Sequence, residues 1–187
     1  MNHQKIFYYS FLLLLLPGCD EKKEQGMNKN DLKLNQIQVI GSHNSYRIHP
    51  VQDMFNLMTG LNPELAAELD YGHPSFDVQF SQHGIRQIEI DVYNDPEGGL
   101  FYNQRGNLFI GLPVPSGIEE LLDPGLKVLH FPDIDYRTHY LTFIDALTAV
   151  KTWSHDNPNH IPIFILVEAK EDGLANIYPS LSGFTQP

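Results

Sequence analysis

The chain has 187 residues, the size of one ordinary domain, with 42% apolar residues and a formal net charge of −11. That charge, with no Lys/Arg cluster, argues against a binder of nucleic-acid backbones. An acidic surface is compatible with divalent cations and equally with plain solubility.

The N-terminus reads as an export signal. Lys5 precedes an apolar run from Ile6 to Leu16, which has the length of a signal-peptide core and is too short to span a bilayer. Leu16-Pro17-Gly18-Cys19 follows and contains the only cysteine. Leu at −3 and Gly at −1 before Cys resemble a bacterial lipobox, while proline at −2 departs from it. The expectation is cleavage before Cys19 and lipidation of its sulfur, which would tether an exported protein to a membrane of the cell envelope. The alternative is an ordinary secretory signal with an incidental Cys19. Residues 1–18 are thus expected to be signal, 19–34 a lipidated polar tether, and 35–187 the folded domain.

Gln36 to Gly41 reads as the first strand and leads into Ser42-His43-Asn44. In the long connection that follows, Asn62-Pro63-Glu64 starts a helix, with Asn62 as cap and Pro63 at the first helical position. Ser75 to His83 is a second helix, stopped by Gly84. Ile85 to Tyr93 is the clearest strand: Ile88, Ile90 and Val92 share one face, Glu89 and Asp91 the other. At ~3.3 Å per residue those two carboxylates lie ~7 Å apart along the strand. Facing inward without a partner they would be costly to desolvate, and a cation between them removes that cost.

Asp95 to Pro115 reads as loop, with a hairpin expected around residues 98–102. Gly125 to Phe131 is a third strand ending at His130. Tyr140 to His155 is an amphipathic helix carrying Phe143, Leu147, Val150 and Trp153 at helical spacing. Ile161 to Glu168 is a fourth strand, apolar on both faces as in a strand covered by helices.

These runs end in His43-Asn44, Glu89-x-Asp91, His130 and Glu168. Parallel strands would deliver all of them to one rim, as in a (β/α) barrel. Two imidazoles, an amide and three carboxylates suit a hard cation beside an acid/base pair. Each has a bland reading alone: His43 as a solvated or capping side chain, Asn44 as a turn residue, Glu89 and Asp91 on an exposed edge, His130 as a core histidine, Glu168 paired with Lys170. Together the bland reading needs four coincidences. The expected fold class is α/β, a (β/α)8 TIM-type barrel of which about the first four strands are present, since eight need ~250 residues.

Gly41-Ser42-His43-Asn44-Ser45-Tyr46, Gly84 through Val92, His130, and Pro162 through Glu168 together resemble the calcium-dependent phosphoinositide-specific phospholipase C family, closest to its bacterial secreted branch. Asp133 through Thr138, Leu141 through Asp145 and Trp153-Ser154 add to the likeness, which covers roughly Gln36 to Lys170 and half of the family's barrel. The resemblance implies that Asn44, Glu89, Asp91 and Glu168 ligate Ca²⁺. It implies His130 as general acid, His43 as stabiliser of the pentavalent phosphorus, and Glu89 as the group taking the inositol hydroxyl proton. The implied partner is a phosphatidylinositol-type lipid, cleaved to diacylglycerol and an inositol cyclic phosphate.

Two other functions compete. A glycerophosphodiester phosphodiesterase shares the barrel, a metal and two histidines, but its His-Arg-Gly near the first strand is here His43-Asn44-Ser45. A truncated, non-catalytic surface lipoprotein is the third reading. Lys170, near the last strand's end, is a phosphate contact or a surface lysine.

Overall fold

A computed structural model describes residues 31–171. The chain divides into two units, Met1–Gln38 and Val39–Pro187. In the first, the described residues hold one 3₁₀ turn, Leu34–Gln36, where Gln36 Oε1 accepts from the Lys33 amide at 3.0 Å. The expected export signal and Cys19 lie outside the described residues.

The second unit is mixed α/β. In chain order it holds α1 (Gln52–Leu61), α2 (Pro63–Glu68), α3 (Phe76–Gln82), β1 (Gln87–Asp95), β2 (Gly125–Lys127), α4 (Phe143–Asp156) and β3 (Phe164–Lys170). The sheet order is β2-β1-β3. β1 and β3 run parallel, with Asp91 opposite Glu168 and Tyr93 opposite Lys170.

Alternation along β1 builds the core. Ile88, Ile90 and Val92 are buried against Phe76 and Phe80 of α3 and Ala146 and Trp153 of α4. Each such aliphatic side chain contributes about 1.5–3 kcal/mol of burial. Glu89, Asp91 and Tyr93 therefore take the opposite face. Helix ends follow their capping chemistry. Asn62 Oδ1 accepts from the Leu65 amide at 3.1 Å, and Pro63 opens α2. Ser75 and His83 flank α3, and Gly84 takes φ +66° after it. α4 begins three residues later than the hydrophobic pattern predicts, because Thr142 and Asp145 form a capping box that fixes its first turn.

Several expectations are corrected. The four strands were expected to run parallel; the described sheet has three strands, and β2 is antiparallel to β1, with Tyr93 opposite Lys127. β2 is also short, so His130 lies three residues beyond its end rather than at it. The expected first strand is no strand. Only Gly41 bridges β1, at Gln87, through amide bonds from Gln87 to the Ile40 carbonyl at 3.3 Å and from Ser42 to the Gln87 carbonyl at 3.1 Å. β3 is not covered on both faces: it pairs with β1 alone among the described strands, and Leu166 and Val167 are 54% and 44% exposed. No hairpin forms at residues 98–102; the loop instead closes through an Asn103–Pro115 bridge and a 3₁₀ helix, Arg105–Ile110. Helix α1 was not anticipated. Its Met54 and Met58 pack with Leu69 of the α2 end against Phe131 and Ile134, which supports the segment that carries His130.

Candidate active site

Glu89 and Asp91 project from β1 and Glu168 from β3. One carboxylate oxygen from each lies within 4.8 Å of the others. The parallel register sets this meeting, since Asp91 stands directly opposite Glu168 and Glu89 is two residues back on the same face.

Asn44 sits in a local turn beside β1. It holds φ +48°, a left-handed conformation that Asn tolerates better than most residues. The next residue ties this turn to β1. The Ser45 amide donates to the Glu89 carbonyl at 3.0 Å, and the Glu89 amide donates to Ser45 Oγ at 2.9 Å. Asn44 Nδ2 donates to the Tyr71 hydroxyl at 2.9 Å, which leaves Oδ1 as the free end of the amide. That oxygen, like both carboxylate oxygens of Asp91, is buried and has no hydrogen-bond partner. Buried acceptors without donors are expensive. A hard cation among the three carboxylates would satisfy those of Asp91, and an oxygen-only donor set suits calcium. The residues therefore fit such an ion.

The electrostatics agree. Burial pushes the Asp91 carboxyl above its usual value, against the pull of the Lys170 and His130 charges. The Lys170 ammonium lies 3.4 Å from Asp91 Oδ2 and 3.3 Å from Glu168 Oε1. The Glu168–Lys170 pairing weighed from sequence is thus present, and it includes Asp91. Burial alone would lower the Lys170 ammonium, but Asp91 and Glu168 together carry it above its ordinary value. The Tyr46 phenol, buried nearby, is pushed well up by burial and by the Asp91 charge.

The two histidines are held differently. His43 is exposed over 70% of its side chain, with Nε2 3.8 Å from Glu89 Oε2 and Nδ1 3.4 Å from the Tyr71 hydroxyl. His130 is buried. Its Nδ1 lies 2.7 Å from Asp135 Oδ2, and since a carboxylate only accepts, Nδ1 carries the proton. Nε2 is left for chemistry. The same Asp135 oxygen accepts from Arg47 Nε at 2.6 Å, and both charged side chains of that pair are wholly buried. Arg47 also donates to the Tyr71 carbonyl and lies over the Tyr71 ring, 4.6 Å from its centroid. Asp135 thus orients one imidazole, while Tyr71 steadies Asn44 on the other side of Arg47. The Tyr93 hydroxyl donates to the His130 carbonyl at 3.1 Å and fixes the backbone below the ring.

Sequence reasoning missed Arg47, Tyr71 and Asp135 as site residues. Asp135 left a weak signal, a carboxylate five positions after His130; Arg47 left none, because its partner lies 88 positions away.

A family model described as Phosphoinositide phospholipase C, Ca2+-dependent, matches residues 32–186. Neither the curated proteins nor the solved structures compared with the chain contain a match. With most of its length matched, the chain belongs to the calcium-dependent phosphoinositide phospholipase C family.

Proposed function

We propose that this chain cleaves phosphatidylinositol-type lipids by internal attack of the inositol 2-hydroxyl, at a calcium site formed by Asn44, Glu89, Asp91 and Glu168. The observation that carries this reading is the convergence of three carboxylates, Asp91's buried and paired only with the Lys170 ammonium, beside two imidazoles in a chain of this family.

Calcium bound there would lower the hydroxyl's pKa and neutralise charge on the phosphate. Glu89 accepts the 2-hydroxyl proton as the new O–P bond forms. His130, held by Asp135 through Nδ1, gives the Nε2 proton to the glycerol oxygen as the old O–P bond breaks. Diacylglycerol leaves and an inositol cyclic phosphate remains. His43, the exposed imidazole, reaches over the phosphate and stabilises its negative oxygens. The strands described belong, on this reading, to the first part of a (β/α) barrel whose rim carries the site. Cys19, lipidated after export, would hold the protein at the cell envelope close to its substrate.

Phosphorus NMR of phosphatidylinositol vesicles incubated with the protein tests this. Inositol cyclic phosphate should appear with calcium, and EGTA should abolish it. Glycerol phosphate as the product would favour the glycerophosphodiester reading, and undiminished cleavage in EGTA would rule out the calcium assignment.

A further inference from the structure

Two of the three carboxylates that define the cation site already share a positive charge supplied by the chain. Lys170 ends β3, two residues beyond Glu168 and on the same face of the strand. Its ammonium sits 3.4 Å from Asp91 Oδ2 and 3.3 Å from Glu168 Oε1, with the side chain 15% exposed and Nζ 5.9 Å from the Phe131 ring centroid. Glu89 is the carboxylate it does not reach by an ion pair, and that one lies near His43 instead.

We propose that Lys170 is a built-in counter-ion of this site, which holds Asp91 and Glu168 together in the metal-free protein and lowers the site's affinity for calcium by competing for the same oxygens. The inference rests on the calcium reading above. Three carboxylates within 4.8 Å of one another repel, and one ammonium reduces their joint charge from −3 to −2. Calcium sites are tuned by the charge their ligands carry. The ammonium is a compact charge on a flexible four-carbon stem, so it yields to a divalent ion without moving the strand. The partly exposed position at the end of β3, which pairs with β1 alone among the described strands, gives it somewhere to go. Competition of this kind shifts a site toward the weak-binding, high-calcium range.

Calorimetric titration of the full chain with calcium chloride, without lipid, tests the proposal on wild type, Lys170→Met and Lys170→Arg. Met keeps an unbranched stem of similar length but not the charge; Arg keeps the charge. Lys170→Met should bind calcium at least about tenfold tighter and melt at a lower temperature than wild type in EGTA, with Lys170→Arg close to wild type. Equal or weaker affinity in Lys170→Met, while wild type binds, overturns the counter-ion role and leaves the calcium reading intact. Absence of calcium binding in wild type and both variants overturns both.

Discussion

The His43 ring stands mostly in solvent, 3.8 Å from Glu89 Oε2 and 3.4 Å from the Tyr71 hydroxyl. His130 is buried, bound through Nδ1 to the same Asp135 oxygen that accepts from Arg47 Nε. The contrast separates two tasks. A group that must deliver a proton to one atom gains from a fixed tautomer and a fixed ring, at the cost of ordering a buried charge network. A group that closes over an incoming phosphate gains from freedom to move.

That comparison is sharpened first by truncating each imidazole. His130→Ala should lower kcat on the order of 10²- to 10⁴-fold, whereas His43→Ala should cost about tenfold and fall more on KM. Equal losses in both parameters would erase the distinction.

Next comes the clamp. Asp135→Asn is nearly isosteric, yet it should lower kcat about 10- to 100-fold with KM and calcium affinity little changed, because it removes the acceptor that fixes His130. If kcat stays intact in the folded variant, Asp135 is only a structural partner of Arg47. Replacing Arg47 is a poorer probe, since leaving Asp135 buried without it would cost about 3–5 kcal/mol and threaten folding.

The smallest effect concerns the carboxylates. Burial raises the Asp91 carboxyl above its unfolded value of 3.8, so the metal-free folded state holds more protons than the unfolded state in the window between the two values. Stability should therefore fall as pH rises through that window and stay lower at neutral pH. Metal-free Asp91→Asn should melt above wild type at pH 7, with the gap closing below about pH 4. Thermal melts across pH in calcium-free buffer check this; a lower melting temperature for the variant at pH 7 would reverse the sign.

The half of the site on β1 was legible because alternation alone puts Glu89 and Asp91 on the face opposite Ile88 and Ile90. Glu168 was legible because a carboxylate closed a long apolar run. The helices α2 and α3 announced themselves through Asn62-Pro63 and Gly84. What stayed hidden depends on pairing across the chain. An apolar run such as Val128-Leu129 does not encode direction, and it is the Tyr93–Lys127 register that makes β2 antiparallel. The Arg47–Asp135 pair joins residues 88 positions apart, and no spacing rule connects them. α1 did leave a signal in Met54 and Met58, four apart with Asp53 in the first turn, but Gly60 near its end weakened the pattern.

The most direct test of the account is a crystal structure of the protein grown with calcium. One ion should be bound by oxygens of Asn44, Glu89, Asp91 and Glu168 at about 2.3–2.6 Å, with the Lys170 ammonium displaced from Asp91. An ion bound elsewhere, or Lys170 still seated between Asp91 and Glu168 with no ion among these residues at saturating calcium, would contradict it.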